Sequence, residues 1–205
     1  MKFIVNKFIN LLRKIHLFFS KKRLSKVAIS NILIGQQAGF SLDRWVKISK
    51  EYNRISVPIV DSPYVSFLKE IKKNEKLLEN KDYLRNTEYF KMGKICMDIT
   101  GHFMGATNSE ELIKWMKKYY ELFKIKKLNK NVYLKFESDI GHSKNESPIM
   151  LTKLKHSHCY EVIDGHHRIA IIYMTGKKNV EALIMGSKYS VLQKKLLKIN
   201  QIHDI

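Results

Sequence analysis

Apolar residues follow two rules along this chain. Over 4–19 and from about 64 to 123 they recur every three or four positions, beyond about 130 they come in short runs broken by glycine, proline or charge, and residues 31–60, with Gly35, Gly39 and Pro58, follow neither rule. The first rule predicts helices. On a helical wheel Ile4, Val5, Phe8, Ile9, Leu11, Leu12, Ile15, Phe18 and Phe19 share one half of the circumference. Lys2, Asn6, Lys7, Asn10, Arg13, Lys14 and Ser20 take the other half, joined by Phe3 and Leu17, and Lys21-Lys22-Arg23 follows. Ser62-Pro63 marks a second start, with serine at the cap and proline in the first turn, for a helix over 64–78. A third helix is expected over 83–99. A fourth begins at Asn108-Ser109, with Ser109 as cap, Glu110 and Glu111 on the favoured side of the dipole, and an end near Phe123. Aromatic residues at helical spacing, such as Trp115, Tyr119 and Tyr120, are expected to be core.

The second rule predicts strands over 132–136, 148–152, 160–163 and 180–185. A short helix over 169–174 has Gly176 as its stop signal, and an amphipathic basic helix is expected over 187–199. His156-Ser157-His158 reads as a hairpin tip between two strands. The fold class is therefore α+β: a small mixed sheet in the C-terminal half, preceded by a mainly helical region. The expected divisions are a basic amphipathic helix at 1–30, a helical region at 31–126, and an α+β domain at 127–205.

Residues 164–168 read Asp-Gly-His-His-Arg and lie between the strand over 160–163 and the helical run over 169–174, where they are expected to form the first turn of that helix. A helix N-terminus carries about half a positive charge and unpaired N–H groups, so acids usually sit there. Here His166, His167 and Arg168 sit against the dipole. An anion, most simply phosphate, would reconcile them, because it accepts from the N–H groups and the cationic side chains together. Gly165 permits close backbone approach, and Arg168 offers a planar fork to phosphate oxygens. The adjacent histidines point in different directions, so one of the two is expected to face the ligand. Asp164 falls at the expected N-cap. Its alternatives are capping alone, or holding Mg²⁺ or moving a proton beside a phosphoryl group.

The stretch from Ser147-Pro-Ile-Met-Leu-Thr152 through Cys159-Tyr-Glu-Val-Ile-Asp-Gly-His-His-Arg-Ile-Ala170 to Gly176 and Val180-Glu-Ala-Leu-Ile184 resembles the ParB/sulfiredoxin superfamily. The resemblance covers about residues 130–188. It implies a strand, a hairpin, a second strand, a G-x-x-R helix start and a closing strand. The Asp-Gly-His-His-Arg form looks most like the branch that holds the free-serine kinases. For that branch the resemblance implies that the turn holds nucleotide phosphates (ATP or ADP, with CTP as the third option) and that Asp164 is catalytic. It also implies an upstream glutamate as the base, with Glu137 first by position and Glu146 second. Sulfiredoxins carry their catalytic cysteine where this chain has His166, and partitioning ParB proteins carry Glu-Arg-Arg after the glycine. About twenty residues follow Ile184, too few for the DNA-binding domain of the partitioning proteins.

The formal net charge of +19 brings anionic partners into view: phospholipid, nucleotide, phosphoglycan or nucleic acid. Residues 1–42 hold eight Lys/Arg and no acid, so much of the excess is terminal. No uncharged apolar run there reaches transmembrane length, and the pattern is that of a helix lying on an anionic membrane surface or packed on the protein itself. The expected location is cytoplasmic, with residues 1–23 available for peripheral contact with the inner membrane face. Cys96 and Cys159 are far apart and lack metal spacing, which points to a reducing compartment.

These readings converge on a nucleotide- and Mg²⁺-dependent phosphotransferase acting on a hydroxyl of a small molecule or glycan precursor. The candidate catalytic residues are Asp164, His166, His167 and Glu137. Gly165, His166, His167, Arg168, His142 and Ser143 are candidate phosphate ligands, and Asp164 the candidate Mg²⁺ ligand. The helical region would shape the acceptor pocket, and a surface helix would suit a polysaccharide or lipid-linked acceptor. A ParB-type nucleic-acid-binding or CTP/ATP-switch protein is the first alternative. A phosphodiesterase or nuclease using a histidine acid is the second. His102, between Gly101 and Gly105, is a weaker candidate for ligand contact.

Overall fold

A computed structural model describes residues 24–34, 57–128, 148–154 and 157–186. The helices expected over 4–20 and 187–199, the strand over 132–136, and Glu137, His142, Ser143, Glu146 and His156 lie outside the described residues. The described chain is a mixed α+β structure. Its strands are β1 (Leu24–Ala28), β2 (Ile32–Leu33), β3 (Ile149–Lys153), β4 (Tyr160–Asp164) and β5 (Asn179–Met185). Its helices are α1 (Pro63–Lys73), α2 (Lys81–Asn86), α3 (Glu88–Thr100), α4 (Ser109–Leu128) and α5 (His166–Met174).

The strands form one sheet in the order β1-β5-β3-β4-β2. β1–β5 and β3–β4 are antiparallel; β3–β5 and β2–β4 are parallel. The expected boundary at residue 127 does not hold within this sheet. Residues 24–33, read as the end of a terminal helix and the start of a helical region, supply both of its outer strands. Only a 3₁₀ turn, Ile29–Asn31, joins them. Five flat strands spaced about 4.8 Å apart would put the outer two roughly 19 Å apart. A 3₁₀ turn rises only about 2 Å per residue. The sheet is therefore strongly curled, with its two edges drawn toward each other.

Cross-strand register puts Val27 opposite Val180, Ile149 opposite Ala182, and Leu151 opposite Val162. All six are buried and share one face. Helix α5 packs between the sheet and a layer made of α1, α3 and α4. The other face carries a buried polar pair, Thr152 opposite Glu161, and the Thr152 hydroxyl donates to the carbonyls of Met185 and Gly186.

The helical layer departs from the expected boundaries at its caps. Helix α1 starts at Pro63 as expected, but the Ser62 hydroxyl donates backward to the Ile59 carbonyl instead of capping. It stops at Lys73, because the Asn74 side chain accepts from Lys76 N–H and opens a separate 3₁₀ turn, Glu75–Glu79. The single helix expected over 83–99 is two. Thr87 sits between them in extended conformation, accepting from Phe90 N–H at 3.2 Å and donating to the Leu84 carbonyl at 2.7 Å. Helix α4 is capped by Asn108, not Ser109: the Asn108 side chain accepts from Glu111 N–H at 3.0 Å. Thr87→Ala removes both bonds at a buried position. It is expected to cost about 1–2 kcal/mol, measured by chemical denaturation with unchanged m-value.

Candidate functional site

Strand β4 ends at Asp164 and helix α5 begins at His166, so the whole reversal falls on Gly165. Its φ of 106° and ψ of 20° are cheap only for glycine. Space imposes a second demand. A Cβ there would sit 3.1 Å from Ile149 Cγ1 and 3.3 and 3.4 Å from Arg168 Nη2 and Nε. The Arg168 guanidinium thus lies against a bare Cα. It donates to Asp164 Oδ2 at 3.0 Å and to the Pro148 carbonyl at 3.4 Å. Burial lowers the Arg168 pKa and the Asp164 carboxylate opposes that shift; a guanidinium stays charged throughout the physiological range.

Asp164 does not take the cap position expected for it. Gly165 occupies the N-cap and makes no side-chain cap bond, while Asp164 is the last residue of the strand. Its side chain reaches forward to Arg168, one helical turn on, and keeps 36% of its surface exposed against 11% for Arg168. The first helical bond of α5 runs from Ile169 N–H to the Gly165 carbonyl at 2.9 Å. The N–H groups of His166, His167 and Arg168 therefore precede the helical ladder, as the first donors of any helix do. The turn joins a strand end, a helix start and an arginine in one place.

The two histidines diverge as expected, and both are buried. His167 enters the helical layer. Its ring centroid lies 4.8 Å from that of Tyr64, 4.7 Å from Tyr119 and 5.5 Å from Trp115, edge-on in each case. Its Nε2 is 2.6 Å from Tyr89 Oη, which accepts from Trp115 Nε1–H at 2.7 Å. Burial, with His166 and Arg168 adding like charge, pushes the His167 pKa down from 6.5 to about 3. His167 is a neutral imidazole at neutral pH, enclosed by aromatic rings. His166 stacks on the Tyr64 ring at 5.3 Å and 26°.

The fold brings Asp164, Gly165, His166, His167 and Arg168 together at this turn. His102 is exposed in the loop after α3, and the next residue, Phe103, is buried with its ring 6.5 Å from that of His167. Cys96 is buried, its thiol pushed up to about 12, while Cys159 lies one residue ahead of β4 and is half-buried. Sequence reasoning took Trp115 as plain core and did not single out Tyr89. The available signal was their polar atoms, because a buried phenol or indole needs a partner. Among the described residues no group of three or more His, Cys, Asp or Glu could hold a metal ion, and no helix is long and apolar enough to cross a membrane.

Fold and site together define a class: a curled mixed sheet with a glycine-initiated strand-to-helix turn carrying an aspartate–arginine pair. No family model, no curated protein and no solved structure matches the chain.

Proposed function

We propose that the 164–168 turn is a phosphate cradle and that the protein is a nucleotide-dependent phosphotransferase built on a ParB/sulfiredoxin-like core. The observation that carries this reading is the packing of the Arg168 guanidinium on the bare Cα of Gly165, at the start of α5. It sets a delocalised cation beside the first-turn N–H groups of a helix, an arrangement suited to phosphate oxygens. The chain order supports the superfamily reading: β3, hairpin, β4, a Gly165-x-x-Arg168 helix start, then β5.

In this reading Arg168 and the first-turn N–H groups hold phosphates of ATP, ADP or CTP. Asp164, partly exposed beside Arg168, serves as metal or proton handle. A single carboxylate suits Mg²⁺, which takes one or two from protein and completes its shell with water and phosphate oxygens. When bound there, the ion would neutralise charge on the transferring group. His167 holds the turn from behind instead of touching phosphate, because its ring is enclosed. His166 is buried too, stacked on Tyr64, and remains a candidate phosphate ligand only by its place as the first residue of α5. The acceptor is a hydroxyl of a small molecule or glycan precursor, and the base assigned by resemblance, Glu137, lies outside the described residues.

Charge does not favour the nucleic-acid alternative within the described residues. They hold 19 Lys/Arg and 13 Asp/Glu, so +6 of the chain's +19. On the helical layer many of these cations sit on carboxylates: Lys81 and Arg85 on Glu110, Lys117 on Glu79, and Lys124 on Glu75.

The test is a transfer and phosphate-release screen with ATP, ADP and CTP on the full chain and two variants. Asp164→Asn is expected to lower turnover by about 10²–10⁴-fold. Arg168→Ala is expected to weaken nucleotide binding roughly 10–100-fold, the equivalent of losing about 1.5–3 kcal/mol of charge-assisted hydrogen bonding. Turnover unchanged in Asp164→Asn removes the aspartate from the mechanism. Absence of nucleotide binding, together with sequence-tolerant DNA binding that falls steeply with salt, transfers the protein to the ParB-type alternative.

A further inference from the structure

Three buried polar groups link the helical layer to the phosphate turn: Trp115 Nε1 on α4, Tyr89 Oη on α3 and His167 Nε2 on α5. The direction of the chain follows from its first link. An indole N–H can only donate, so Tyr89 Oη accepts from Trp115. The phenol is fully buried and burial holds its pKa well above 10, so Oη keeps its proton. That proton needs an acceptor, and His167 Nε2 lies 2.6 Å away. His167 is then the neutral tautomer with its proton on Nδ1.

Stability alone does not explain this chain. Replacing both partners of a buried hydrogen bond by apolar groups of the same shape can be close to neutral, so a phenylalanine and a leucine could fill the same volume. What the polar chain adds is direction: two bonds at 2.6 and 2.7 Å fix the rotation of one imidazole on the second residue of α5. Arg168 is the next residue, and the first-turn N–H groups ride on the same backbone.

We propose that Tyr89 and Trp115 are positioning residues for the phosphate turn, holding His167 in one tautomer and one orientation so that the first turn of α5 and Arg168 keep the geometry an anion needs. This rests on the phosphate-cradle reading above. Neither residue touches the ligand; both act through His167.

The test uses the full chain, with inorganic pyrophosphate and ADP as probes in titration calorimetry, and ring ¹⁵N–¹H correlation spectra of His167. In the unmodified protein at pH 7, His167 should show a protonated Nδ1 and a bare Nε2. Tyr89→Phe should retain a cooperative melt, lose the single tautomer, and bind both probes roughly tenfold more weakly. Trp115→Phe should act in the same direction with smaller effect. Phe67→Leu serves as the control: Phe67 stacks on Tyr89 and Tyr119 without a polar atom, so it should lower stability and leave affinity unchanged. Unaltered affinity in Tyr89→Phe, or an equal loss in Phe67→Leu, overturns the positioning role while the cradle stands. An unmodified protein that binds neither probe removes the cradle and this inference with it. A His167 protonated on Nε2, or cationic at pH 7, overturns the direction of the chain without any variant, so the inference stays testable if Tyr89→Phe fails to fold.

Discussion

Gly165→Ala is expected to destabilise the protein by about 2–4 kcal/mol and to abolish the anion binding proposed for the turn. Two costs combine. At a φ of 106° an L side chain is strained whatever surrounds it, on the order of 1–3 kcal/mol. The new methyl would also stand 3.1 Å from Ile149 Cγ1, and Ile149 is a fully enclosed residue of β3 that cannot easily yield. The same methyl meets the Arg168 guanidinium at 3.3 Å and drives it off the Cα it lies against. Gly176→Ala separates the two costs. Gly176 also has positive φ, 89°, but open space where a Cβ would go, so that variant should lose only about 1 kcal/mol. Denaturant titrations of both variants decide the matter. Equal losses at the two glycines would mean that the close approach of Arg168 contributes nothing.

Acid should weaken the fold through His167 before carboxylates titrate. Its folded pKa, about 3, lies below the ordinary 6.5. Between those values the unfolded chain binds a proton that the native state refuses, so stability rises with pH across the window. The contribution is fully present above pH 6.5, falls as pH drops, and is fully lost below about 3. One residue would account for roughly 2 kcal/mol between pH 6.5 and 5, and for at most about 4–5 kcal/mol in full. The chain has eight histidines, so the comparison that isolates this one is the pH slope of unfolding free energy in the unmodified protein against His167→Gln. The variant is expected to start lower at pH 7 and to decline less between pH 6.5 and 5. Parallel slopes would show that His167 titrates normally and that its enclosure is looser than the geometry describes.

The sequence made the local elements of the C-terminal half readable because their signals are local. Tyr160–Asp164 and Asn179–Met185 match their expected positions within a residue at one end, and α5 takes in His166, His167 and Arg168 as its first turn, as expected, while Asp164 and Gly165 stay outside it. Gly176 stops α5 through its positive φ, as its position suggested. Asp164-Gly165-His166-His167-Arg168 stood out on composition against the helix dipole, and the fold does gather those five at a strand-to-helix turn. The caps were less legible. Adjacent Asn108 and Ser109 are both good caps, and so are Ser62 and Thr87 by type; which oxygen meets which N–H is a matter of fractions of an ångström.

By itself, then, the amino-acid order made legible the helical starts at Pro63 and near Ser109, the strands and helix over 160–185, and the basic reversal between them. These are properties of neighbours in sequence, set by periodicity, backbone freedom and dipole. Only the tertiary structure decided that residues 24–33 supply both outer strands of the sheet, because strand pairing depends on partners some 130–160 positions away. Only it decided which of the two buried histidines bonds to the helical layer, since Tyr89 and Trp115 come to His167 from other helices across 78 and 52 positions of chain. Burial and hydrogen bonding are set by what arrives from afar, and no local pattern encodes them.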